Sequence, residues 1–144
     1  MIIVLDTNVV SELLRPMPAT EVLAWLSRQD SSLVYFTTVG EAELRHGVAL
    51  MPAGRRRDAL TEAVQGVLEE DFMGRIFSFD RAAAQAYAAI AVERRAAGRP
   101  ISSFDCQIAA IARANGAAVA TRNVGDFVGC GIAVINPWGP SGGS

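Results

Sequence analysis

The chain has 144 residues, of which 51% are apolar and 19% charged, and its formal net charge is −2. This balance suits one folded domain and excludes both a disordered polar tract and a uniformly basic protein that coats nucleic acid. All 13 basic residues are arginine, which also excludes P-loop nucleotide hydrolysis, Schiff-base catalysis and the lysine-assisted phosphoryl transfer of receiver domains, because each needs a compact ammonium group.

In chain order, Ile2 to Leu5 is an uninterrupted apolar, β-branched run that predicts a parallel strand buried on both faces. The same character returns at Leu33 to Thr37, Ile76 to Phe79, Ala117 to Ala120 and Ile132 to Ile135, giving five short strands. Helical patterns fill residues 18–29, 38–51, 55–73, 81–97 and 103–115, with Asp80 and Ser102 as N-caps and Gly54, Gly98 and Gly116 at helix ends or turns. Strands separated by helices imply right-handed crossovers and a parallel sheet covered on both faces, an α/β fold. The domain is expected over residues 1–138, followed by a flexible Gly/Ser/Pro tail over 139–144.

Cys106 and Cys130 are too far apart for a CxxC pattern and read as reduced core thiols. No apolar stretch approaches the ~18 residues of a membrane span. The chain passes from Met1 straight into a strand without a basic signal region, so no membrane association and a cytoplasmic location are expected.

Several carboxylates stand where a fold alone does not need them. Asp6 directly follows the first strand, at the carboxyl end where open parallel sheets place ligands, although a turn or a helix cap also accounts for it. Glu43 falls on or beside the apolar stripe expected from Val39, Ala42, Ala49 and Leu50, where a charge is costly unless a cation meets it. Asp105 borders the apolar face of the helix that continues through Ile108, Ala109 and Ala112, and Ser102 and Asp105 also match a capping box. The segment Thr121-Arg122-Asn123-Val124-Gly125-Asp126 follows a strand as Asp6 does, and a capped turn explains it equally well. Taken together, acids gathered at strand ends without histidine or cysteine ligands favour Mg²⁺ or Mn²⁺ over zinc and suit phosphodiester hydrolysis by activated water.

With these residues in view, the sequence resembles the PIN-domain family, and within it the VapC and FitB group of bacterial toxin ribonucleases. The resemblance spans nearly the whole chain. It rests on Ile3-Val4-Leu5-Asp6-Thr7-Asn8, Glu41-Ala42-Glu43-Leu44-Arg45-x-Gly47, Asp105 with Ile108-Ala109-Ala110, Ala120-Thr121-Arg122-Asn123, and Asn136-Pro137-Trp138. It implies a three-layer α/β/α fold with a five-stranded parallel sheet, Mg²⁺- or Mn²⁺-dependent cleavage of RNA, a cognate antitoxin and a homodimer. By the same resemblance Asp6 and Asp105 are metal ligands, Glu43 binds metal directly or through water, and Thr7 and Asn8 support them. The fourth acid of the family falls either at Asn123 or at Asp126, and Asp126 is the choice made here, with Asn123 in a supporting role.

His46, the only histidine, follows Glu43 by one turn and reads as structural. Arg55, Arg56, Arg57, Arg94, Arg95 and Arg99 read first as solvated charge, although phosphate contact suits them too. Trp25 and Trp138 read first as core. Two competing functions remain: a haloacid-type phosphatase with Asp6 as nucleophile, disfavoured by Asn8 and the missing lysine, and a non-catalytic PIN-fold module that binds a partner.

Overall fold

A computed structural model describes residues 1–139. Strand β1 (Ile3–Leu5) is followed at once by helix α1 (Thr7–Leu13), then by α2 (Thr20–Ser27), β2 (Val34–Thr37) and α3 (Thr38–Ala49). Helix α4 (Arg55–Gly66) runs into a wider turn over Val67–Asp71, which leads to β3 (Ile76–Phe77) and α5 (Arg81–Ala96). Helix α6 (Ser103–Ala114), β4 (Ala118–Ala120), the short α7 (Val124–Phe127) and β5 (Val134–Ile135) complete the order. Among the described residues no helix is long and apolar enough to cross a membrane. The expected tail lies, from Pro140 onward, outside the described residues.

All five strands are parallel, in the order β3-β2-β1-β4-β5. Strand β1 alternates its side chains between two apolar layers, as a doubly covered strand must. Ile3 and Leu5 join Val9, Val10, Trp25 and Phe36 on one face. Val4 joins Ile90, Ile108, Ile111 and Phe127 on the other. The three-layer α/β/α arrangement expected from the sequence is therefore present. From β1 the chain builds outward through β2 and β3, then returns to add β4 and β5 on the opposite flank. The order reverses between β1 and β4, and a crevice opens at the carboxyl ends of strands where this happens.

Several local expectations hold. Asp80 Oδ1 accepts a hydrogen bond from the Ala83 amide at 2.9 Å, and Ser102 Oγ from the Asp105 amide at 3.2 Å, so both cap their helices. Trp25 and both cysteines are buried, and the thiols are free. Others are corrected. Helices α1 and α7 were not among the expected helices, although a helix cap was one reading of Asp6: Thr7, Val9 and Val10 are β-branched and continue the strand pattern, while α7 is too short to show a period. On α3 the buried stripe is Val39, Gly40, Leu44 and Val48, whereas Ala42, Ala49 and Leu50 face solvent. Arg94 is not solvated charge but is buried, with Nε donating to the Arg99 carbonyl at 2.6 Å and one terminal nitrogen donating to the carbonyls of Asp126 and Val128, each at 2.8 Å.

Gly40 is buried where α3 leaves β2, and a Cβ there would stand 2.4 Å from the Phe36 ring. Gly40→Ala is expected to destabilise the protein by about 1–3 kcal/mol through overpacking. Denaturant unfolding checks this, and an unchanged midpoint would show that the ring moves aside without cost.

Candidate active site at the sheet switch point

Asp6 leaves β1 at the reversal between β1 and β4, and its amide donates to the Ala120 carbonyl at 2.9 Å, which fixes it against the end of β4. The residue is 6% exposed, and its carboxylate is held by neighbours rather than by solvent. Oδ1 accepts from the Thr7 amide at 2.8 Å, and Oδ2 accepts from Thr121 Oγ at 2.8 Å and from Asn8 Nδ2 at 3.3 Å. Asp6 thus both caps α1 and belongs to a cross-strand polar network. Thr7 Oγ donates to Glu43 Oε1 at 2.6 Å, which ties α3 to the same point.

An open cavity of about 530 Å³ is lined by Asp6, Thr7, Asn8, Glu43, Asp105 and Asn123. Six of the sequence-derived candidates therefore share one space. The seventh, Asp126, is exposed on α7 and does not line the cavity, although its charge acts on Asp105. His46 is exposed and lies off the cavity wall.

Among the described residues no cation is ion-paired with Asp6, Glu43 or Asp105. Burial is the main cause that pushes the Asp6 carboxyl up to about 6; hydrogen bonds from Thr121 and Thr7 oppose the rise, and the charges of Asp105 and Glu43 add to it. The Asp105 carboxyl is also raised, first by burial and then by Asp126, against the Ser102 bond and the charge of Arg94. Among the described residues no three His, Cys, Asp or Glu side chains already close around a common ion position. The wall offers carboxylate, amide and hydroxyl oxygens and neither imidazole nor thiolate, a donor set suited to a hard divalent cation.

The PIN domain family model matches residues 3–127. The chain belongs to the PIN-domain family. Its relatives include the plasmid stability protein StbB of Pseudomonas syringae pv. tomato, 47% identical over 136 residues that cover 94% of this chain and 98% of that protein. The VapC ribonuclease Y4jK of Sinorhizobium fredii is 41% identical over 139 residues, with 96% and 99% covered. Toxin FitB of Neisseria gonorrhoeae is 42% identical over 136 residues, with 94% and 98% covered. The crystal structure of FitAcB from that organism matches with a TM-score of 0.89 at 42% identity, over 95% of this chain and 99% of that one.

This PIN domain brings to the cavity five further residues that sequence reasoning did not select: Ser11, Glu12, Arg15, Arg122 and Trp138. Thr121, fully buried and bonded to Asp6, was also passed over as a site residue. The i, i+3 spacing of Glu12 and Arg15 was the available signal, but it needs α1 to be recognised as a helix first.

The Asp6 shift sets the sign of a pH effect. The folded chain holds this proton more tightly than the unfolded one, so the contribution is intact below the ordinary value of 3.8 and is lost as pH rises through about 6. With chelator present, wild-type stability is expected to fall across that window by up to roughly 3 kcal/mol, at about 1.4 kcal/mol per pKa unit, and Asp6→Asn to flatten the fall. Matching pH profiles for the two proteins in thermal denaturation would contradict the assignment.

Proposed function

We propose that this PIN-domain protein is a Mg²⁺- or Mn²⁺-dependent endoribonuclease, the toxin of a toxin–antitoxin pair, which works as a homodimer. The observation that carries the reading is the joint exposure of Asp6, Glu43 and Asp105 to one cavity, with Asp6 raised in part by the charges of the other two. A phosphodiester is itself an anion, so three acids serve it only with a cation between them. The relatives named as a VapC ribonuclease and as toxin FitB support the same activity and role.

The donor set fits the metal. Asp6 and Asp105 would hold it, with Glu43 as a ligand directly or through water. When bound, the ion supplies a Lewis acid that activates water and offsets charge on the scissile phosphate. The chain's own residues set the stage for this. Thr121 and Asn8 orient Asp6 through Oδ2, the Thr7 amide fixes Oδ1, and the Thr7 hydroxyl aims Glu43. Asn123 stands on the cavity wall, and its amide donates to Thr121 Oγ at 3.0 Å. Asp126 acts as the more distant acid through its charge on Asp105.

The antitoxin would lie along the apolar groove beside the acids. This groove of about 600 Å³, walled by Leu14, Leu44, Val48 and Leu60, shares Thr7, Ser11, Arg15 and Glu43 with the acidic cavity. A peptide with an apolar face laid there would end at the acids.

Purified free of any antitoxin, the chain is expected to cut total RNA with Mn²⁺ and not with chelator. Asp6→Asn and Asp105→Asn should each lower the rate by at least ~10²-fold, as loss of a principal charge-stabilising group does. Asp126→Asn, one residue removed, should cost about 10- to 100-fold. Mn²⁺ should raise the melting temperature of wild type at pH 7.5 and leave Asp105→Asn unmoved. Cleavage undiminished in Asp6→Asn would refute the proposal, and an absence of Mn²⁺ binding by calorimetry would favour the non-catalytic module instead.

A further inference from the structure

The side chains of Trp138 and Arg122 make no hydrogen bond to Asp6, Glu43 or Asp105 among the described residues, yet both line their cavity. Strand β5 pairs with β4, so the segments that leave these two strands emerge side by side. Pro137 is buried, and the Trp138 amide donates to Asn136 Oδ1 at 2.9 Å, which fixes the turn that presents the indole. The Arg122 guanidinium carbon lies 5.0 Å from the centre of the Trp138 ring. At its other end the Arg122 amide donates to Asn8 Oδ1 at 3.3 Å, and Asn8 in turn bonds Asp6.

Among the described residues two cations line the cavity, Arg15 and Arg122. Arg15 is engaged by Glu12, a buried carboxylate 3.2 Å away that also accepts from the Ala19 amide at 2.9 Å. That amide bond is the first cause holding the Glu12 carboxyl below its ordinary range; Arg15, and after it Arg122, lower it further. Arg122 forms no ion pair among the described residues. It is exposed, faces the acidic cavity and is held in place by an aromatic face and a backbone bond, not by a carboxylate.

We propose that Arg122, supported by Trp138, binds a phosphate of the RNA strand adjacent to the bond being cut, and so positions single-stranded RNA over the acids. The inference rests on the ribonuclease reading above. A cation bound among the carboxylates offsets charge at one phosphate, but the neighbouring phosphates of the same strand still meet a negative rim. Among the described residues Arg122 is the cation on the wall without an ion pair, and its contact with Trp138 limits the rotamer freedom lost on binding.

The test is binding of a short labelled oligoribonucleotide by fluorescence anisotropy across a salt series, in Ca²⁺, which carboxylates also bind. Arg122→Gln is expected to weaken binding about 10-fold and to reduce the slope of log affinity against log salt by about 0.7, the value of one phosphate contact on a single strand. Arg122→Lys should keep the slope and lose part of the affinity. Because Arg122 is exposed, both variants should melt as wild type does. Wild-type affinity and slope in Arg122→Gln would overturn the proposal, as would failure of the wild-type protein to bind the oligonucleotide. Binding whose slope depends on Arg122, in a protein that cuts no RNA with Mn²⁺, would uphold the phosphate contact and refute the nuclease reading alone.

Discussion

The structure is organised around a carboxylate that it is costly to bury. Asp6 stands at the end of the central strand, nearly inaccessible, with its carboxyl pushed up to about 6 and with Glu12, Glu43 and Asp105 on the same cavity. A fold optimised only for stability would place an asparagine or an apolar residue here, since an unbalanced buried charge opposes folding. What offsets the cost is visible around it. Two side chains and one backbone amide donate to the carboxylate, and those donors come from α1 and from the residue after β4, so the network also fastens the two segments that flank the sheet reversal. The residual destabilisation is the kind of local strain expected at a site that awaits a cation.

The larger layout was legible because it depends on patterns that local sequence carries. Continuous apolar runs marked β1 and β4 as doubly covered, and Ser102 and Asp80 marked helix starts that the structure confirms by hydrogen bonds to Asp105 and Ala83 amides. Helix α1 was hidden for a physical reason. Its Thr7-Asn8-Val9-Val10 opening favours a strand, and the helix forms because Asp6 caps it and Val9 and Val10 are driven into the apolar layer beside Trp25. Missing α1 also hid Glu12, whose burial follows only from the helix face it occupies. On α3 the expected stripe kept Val39 but left out Leu44 and Val48, which set the buried face, while Ala42, Ala49 and Leu50, with less apolar surface or at the frayed end, face water.

The site shows the same division. Asp6, Glu43 and Asp105 could be picked out singly as acids beside apolar surface, but their presence on one cavity depends on the sheet order, which no local pattern encodes. The roles of Arg122 and Trp138 depend on β4 pairing with β5, a long-range parallel contact. Between Asn123 and Asp126, three residues apart, sequence had no means to choose. The short helix α7 turns Asp126 to solvent and leaves Asn123 on the wall.

The absence of lysine acquires a structural sense at two of these positions. Arg94 is buried and serves three carbonyl oxygens at once, from Arg99, Asp126 and Val128, as the planar fork of a guanidinium allows. In doing so it pins α5 to the segment that carries Asp126 and Val128, and it supplies the positive charge that Asp105 meets from the protein side. An ammonium group there would leave carbonyls unsatisfied and, being more strongly hydrated, would itself be driven toward neutrality. Arg122 needs the same planarity for a different purpose, since it lies against an indole. The acids are therefore framed by one buried guanidinium that fixes their scaffold and one exposed guanidinium that faces the solvent from which a polyanion would arrive.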